Sequence, residues 1–191
     1  MSALPPDLQQ ALSDLEKNEN DVKTLMRGLS ATELNWQPKN GKGWSILQCL
    51  EHLEMANKCY LDEMEPAIRN AKPEQRAWKG PFQHSGFIRF FTGTLLEPPA
   101  RFKLPAPPKI MPPSKGDPDA VLSAWLKTHE RLRAFIQTGA NYDLNSIVMQ
   151  NPFVKQLRLK LASAISIITT HERRHIWQAG NVRKAMEAVA A

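Results

Sequence analysis

The chain is 191 residues long, 42% hydrophobic and 23% charged, with a formal net charge of +6. That composition can bury a real core, which excludes intrinsic disorder and makes a single domain over residues 1–191 the expectation. No apolar run approaches the roughly 18 residues of a membrane span, and MSALPPDLQQ lacks the basic and apolar regions of a secretory signal, so a cytoplasmic protein with no membrane partner is expected.

Apolar residues recurring at three and four predict helix 1 from about Pro6 to Leu29, with Leu8, Leu12, Leu15, Val22 and Leu25 on its buried face. Ser30 and Glu33 have the spacing of a capping box over a short helical turn. After PKNGKG, Ser45 and Gln48 form a second box that opens helix 2, which reaches about Ile68. WKGPFQHSGFIRFFTGTLL follows without a dominant period, and its Phe82, Phe87, Phe90 and Phe91 are expected to cover one end of the core. Eight of the fifteen prolines fall between Pro98 and Pro118, which rules out regular helix or central strand and predicts a crossing loop. Its Phe102, Leu104, Ile110 and Met111 are expected to pack on the rest of the protein. Asp117 as cap with Pro118 at the first helical position opens helix 3, and Gly139 closes it. Helix 4 spans about Leu159 to Val189. Its β-branched AISIITT run would suit a strand, but no other segment alternates to partner one.

Four long amphipathic helices predict an all-α four-helix bundle. The short link between helices 1 and 2 makes them antiparallel, while the roughly 50 residues between helices 2 and 3 permit a crossover that leaves those two parallel. The expected topology is up-down-down-up. Cys49 and Cys59, both on helix 2, are separated by about 15 Å of rise, too far for a disulfide.

From Asn151 to Ala191, seven basic residues stand against two acids. Such an excess is either a solvated helix face or a field that draws nucleic acid or a small anionic substrate. No helix-turn-helix glycine turn, finger or aromatic-basic alternation accompanies it, so nucleic acid is not an expected partner.

The histidines carry the functional signal. His171 and His175, four apart in HERRH on helix 4, face one way and suit ligation of one metal ion. The string also reads H-E-x-x-H, the zincin pattern in which the glutamate acts as base. A zincin takes its third ligand downstream, yet only sixteen residues follow His175 and none is histidine. The third ligand must then come from upstream. His52 is the best candidate, on the side of helix 2 shared by Cys49, Ala56 and Tyr60. His129 borders an apolar face with Trp125 and Leu132, and His84 sits in the loop segment, where solvent or a local hydrogen bond would satisfy it. For any one of these histidines, a hydrogen-bonded place in the core is the competing explanation.

Trp44-Ser45, the His52-Leu53 pair, the EPPARFKLPAPP loop and the terminal HERRHIWQ block together resemble the DinB-like superfamily, a group that includes YfiT-type metal-dependent hydrolases. The resemblance covers nearly the whole chain. It implies an up-down-down-up four-helix bundle in which three histidines bind a divalent metal, here His52, His171 and His175. His84 and His129 match no ligand position. Three neutral ligands leave an ion its full charge and an open position, where water ionises more easily or a thiol binds as thiolate. Relatives include bacillithiol S-transferases and mycothiol-dependent isomerases. The resemblance therefore implies a metal-dependent enzyme of small molecules, either a hydrolase or a low-molecular-weight-thiol S-transferase, with zinc or nickel as the ion and a low-molecular-weight thiol as a further cofactor. Glu172 is the candidate catalytic residue; it lies about 100° around the helix from His171 and is a base, a partner of a ligand, or a surface residue paired with an arginine. The alternative is a non-catalytic metal-binding or dimerisation module of a stress response, and a homodimer is compatible with either.

Overall fold

Four long helices run alongside one another in the computed structural model, which describes residues 3–99, 102 and 104–190. They are α1 (Pro6–Met26), α2 (Ile46–Arg69), α3 (Pro118–Gly139) and α4 (Leu161–Ala190). Positions 1, 2 and 191 of the expected domain, and 100, 101 and 103 of the expected loop, lie outside the described residues.

Each helix begins where its orphan N–H groups find acceptors or are missing. α1 opens on a proline, whose absent N–H costs nothing there. Both capping boxes form: Ser30 with Glu33 over the short helix Ala31–Leu34, and Ser45 with Gln48 at the start of α2, where the two reciprocal bonds are 3.1 and 3.0 Å. The Asp117 carboxylate accepts from the Ala120 N–H at 2.8 Å to open α3. The first N–H groups of α4, from Leu161 and Ala162, donate to the carbonyls of Ile147 and Leu144.

Cross-helix pairs fix the directions. Asp14 and Leu25 of α1 meet Arg173 and Arg183 of α4, and Asn57 and Glu65 of α2 meet Thr128 and Arg131 of α3, so both pairs are parallel. Ile46, Leu50 and Leu53 at the start of α2 share a cluster with Ile176 and Val182 near the end of α4, whereas Leu61 and Ile68 share the other with Leu161 and Ile168, which makes that pair antiparallel. The bundle is therefore up-down-down-up, with α1 and α2 each packed against α3 and α4. Among the described residues, no helix is long and apolar enough to cross a membrane.

Three local expectations need correction. A small antiparallel hairpin, β1 (Val148–Gln150) with β2 (Arg158–Lys160), precedes α4 and pairs Met149 with Leu159, which moves the start of that helix to Leu161. Strands of three residues offer too few alternations to register as a period. In the aromatic segment, a helix at Gly86–Phe90 continues into a π-turn at Phe91–Leu96; Phe82 and Phe91 pack on the core, whereas Phe87 and Phe90 are exposed. Among the described residues of the proline-rich loop only Ile110 is buried, and Phe102, Leu104 and Met111 are exposed. The loop is held mainly through its backbone, with Gln48 donating to the Pro113 carbonyl and Asn35 to that of Gly116.

The core is divided. One apolar cluster holds Leu8, Leu15, Met64, Phe135 and Ile165, and the other holds Val22, Ile46, Leu50, Trp125 and Ile176. Between them, along every helix, comes a buried polar residue: Asn18, Asn57, His129 and Glu172.

Candidate metal centre

The antiparallel contact of α2 with α4 brings His52 against His171 and His175, and one ring nitrogen from each lies within 4.8 Å of the others. The Nε2 atoms of His52 and His171 are 3.2 Å apart, close to the roughly 3.4 Å between two nitrogen ligands of a tetrahedral ion. Local packing sets the ring directions. His52 Nδ1 donates to the Ile110 carbonyl at 2.8 Å, which fixes the tautomer and turns the Nε2 lone pair toward the other two rings. Trp44, two residues before the α2 helix, packs against His52 and His175 with ring centroids 4.8 and 5.8 Å away.

The electrostatics favour neutral imidazoles, the protonation state that a metal needs. Burial lowers the His52 pKa, partly opposed by the bond to Ile110. Burial, then the charges of His52 and Arg174, push His171 down to about 3. His175 falls well below its ordinary value for the same leading reason, burial, with His171, His52 and Arg174 adding to it and Gln178 partly opposing it. Among the described residues, the Nδ1 atom of His175 is buried without a hydrogen-bond partner. An orphaned imidazole nitrogen beside two other neutral imidazoles is a donor set that fits a divalent ion of borderline softness.

The three rings sit on the wall of a cavity of about 1570 Å³, open on one side, whose other walls include Phe91, Phe153 and Leu159 and the loop residues Phe102 and Leu104. Among the described residues, none of its lining is aspartate or glutamate.

Glu172 is not at the surface: the residue is fully buried. Its Oε2 accepts from Asn18 at 2.9 Å, and its Oε1 accepts from Asn57 at 2.8 Å, His129 Nε2 at 2.7 Å and Trp125 Nε1 at 3.3 Å. All three other helices thus converge on one carboxylate. His129 in turn reaches Glu19 with Nδ1 at 3.0 Å, and Glu19 pairs with Arg133 at 2.6 Å. With carboxylates on both nitrogens the ring is an imidazolium: burial opposes its charge, but Glu172 and then Glu19 outweigh that and raise its pKa. Burial likewise opposes the Glu172 charge, but His129, Asn57 and Asn18 prevail and lower its pKa.

His84 takes neither of its expected settings. Its two nitrogens meet Ser163 and Ser166 of α4 at 3.2 and 3.0 Å, pinning the aromatic segment to that helix. Cys49 is buried, its thiol pushed up to about 12 by burial, and both cysteines are free.

Sequence reasoning passed over Arg174, Asn18 and Asn57. The asparagines leave a trace, since each interrupts an apolar stripe at the level where its neighbours carry His129 and Glu172. Arg174 leaves none, because its partners are the carbonyls of Leu95 and Phe102, which any residue would present.

Fold and cluster together define a helical bundle of up-down-down-up topology with three histidines converging between α2 and α4. The chain belongs to the DinB superfamily, which matches residues 14–179. It is similar to the solved structure of YfiT from Bacillus subtilis, described as a probable metal-dependent hydrolase with an unusual four-helix bundle topology, with a TM-score of 0.61 and 15% identity over 98% of this chain and 92% of that one. At that identity the likeness shows the fold. No curated protein matches the chain in sequence.

Proposed function

We propose that the chain is a metal-dependent enzyme of small molecules, with His52, His171 and His175 holding one divalent ion. The observation that carries this reading is the convergence of three imidazoles, all biased toward neutrality, on the wall of a large and mostly apolar cavity. The description of YfiT as a probable metal-dependent hydrolase supports it. A bound ion supplies Lewis acidity at its open position. The chain's own part is to fix the rings through Ile110 and Trp44, to present apolar walls that exclude water, and to lend the positive charge of Arg174.

Hydrolysis and thiol S-transfer are the two reaction classes. The lack of a carboxylate in the described lining favours S-transfer, in which no protein base is required; Glu172 has its oxygens engaged in the core and serves to position α4. Zinc and nickel are among the ions that suit an all-imidazole set. The test is a screen of electrophilic small molecules with low-molecular-weight thiols, and of esters and amides without them, each with and without added Zn²⁺ or Ni²⁺. Turnover that depends on both metal and His175 is the expected result. The absence of any turnover that depends on both would overturn the enzyme reading and leave the non-catalytic module.

A further inference from the structure

Arg173 and Arg174 are neighbours in sequence with opposite electrostatic fates. Arg173 pairs with Asp14 and Glu97. Arg174, only 8% exposed, donates to the backbone carbonyls of Leu95 and Phe102 and pairs with no carboxylate among the described residues. Carbonyl dipoles orient a guanidinium without cancelling its charge, and an uncompensated buried cation is costly. Arg174 lines the cavity beside His171 and His175. Lys39 and Lys42 line it from the loop before α2, and Arg158 and Lys160 from the hairpin, again without ion pairs among the described residues. Five cations therefore face one cavity that has no described acidic residue.

Its apolar walls are the second observation. Phe87 and Phe102 are 64% and 54% exposed, and both line this space, as do Phe91 and Phe153. Its volume, about 1570 Å³, exceeds the roughly 300–1,000 Å³ of ordinary small-molecule sites and has room for a bulky body.

We propose that the substrate is an amphiphilic organic anion, its charged head beside Arg174 and the three histidines and its apolar body along the phenylalanine-lined wall. The inference rests on the enzyme reading above and names the substrate class of that same site. A divalent ion on three neutral ligands adds positive charge that no described side chain of the cavity offsets, which strengthens the demand for an anion.

The test is calorimetric titration of the full chain with octanoate, 1-octanol and octylammonium, at low salt and at about 0.15 M salt, before and after chelator treatment. Octanoate is expected to bind about tenfold more tightly than 1-octanol, with octylammonium no tighter than the alcohol and the preference shrinking in salt. Arg174→Gln should erase most of that preference while leaving 1-octanol binding intact. If that variant does not fold, the Arg158→Gln/Lys160→Gln double variant should weaken octanoate about threefold and spare 1-octanol. Equal binding of octanoate and 1-octanol, tighter binding of octylammonium, or a preference untouched in the folded variants would overturn the proposal. Zinc titration of the same samples separates the two readings. An anion preference without zinc binding would remove the metal and keep this inference; zinc binding without an anion preference would do the reverse.

Discussion

Glu172 Oε1 accepts from His129 Nε2 at 2.7 Å in the middle of the bundle, so the glutamate of the HERRH string is bonded into the core. Truncating one partner of such a buried pair typically costs about 3 kcal/mol or more, because the other charge is left behind. Glu172→Ala is therefore expected to lower the urea midpoint sharply. Glu172→Gln, which turns an amide toward donors that need acceptors, should cost about 1–3 kcal/mol. A general base would behave otherwise: Glu172→Gln would keep full stability and lose about 10² to 10⁴ in turnover.

His175 makes the opposite prediction for stability. Its Nδ1 is buried without a partner among the described residues, and its ring lies against two other buried imidazoles. Without metal, His175→Leu should stabilise the protein by about 1 kcal/mol, since an unsatisfied polar atom is replaced by hydrocarbon. The same substitution should abolish stabilisation by added Zn²⁺. Thermal unfolding of both proteins, with chelator and with zinc, checks the two halves; a destabilised variant in chelator would count against the cost assigned to the unpartnered nitrogen.

Two groups of histidines titrate with opposite consequences for the metal-free protein. The His129 pKa is raised from the ordinary 6.5, so the stability it contributes is present below that value and is lost as pH rises through its folded pKa. His52, His171 and His175 are lowered, so the unfolded chain takes up protons that the folded chain refuses and stability is lost as pH falls below about 6.5. Urea midpoints in chelator at about pH 5, 7 and 9 should therefore be highest near neutrality. His129→Gln should lose the alkaline decline. A wild-type midpoint that keeps rising above neutrality would contradict the imidazolium assignment.

The loop from Pro98 to Pro118 is anchored at Ile110, which is 2% exposed and whose carbonyl accepts from His52. Trypsin should therefore cut slowly after Lys109 in the native protein, although that lysine is exposed. Ile110→Ala should speed cleavage there and loosen the His52 ring, because the side chain that seats the carbonyl is truncated. Equal cleavage rates in both proteins would show that the loop is not clamped at this point.

The architecture was legible because local and global signals agree: both capping boxes, the Asp117-Pro118 start and the helical period all point to four helices, and the short and long links dictate their directions. The histidine triple was legible because two ligands share one helix face and the third follows a fixed cap. Glu172 was placed only in part. Its angle from His171 follows from helix geometry, but its partners come from three other helices and no local pattern encodes them. His84 was missed for the same reason, its serine partners lying about eighty residues away. Aromatic rings misled in the loop and in the short helix Gly86–Phe90, since Phe102 and Phe87 look like core residues by type yet line an open cavity.

The central claim is that His52, His171 and His175 together hold one ion. Elemental analysis of untagged protein, after loading with Zn²⁺ or Ni²⁺ and dialysis, tests it most directly. The wild type is expected to retain about one ion per chain, and His52→Ala, His171→Ala and His175→Ala each to lose most of it while circular dichroism shows the helices intact. Retention in the folded His52→Ala variant equal to that of the wild type, or no retained ion in the wild type, would contradict the claim.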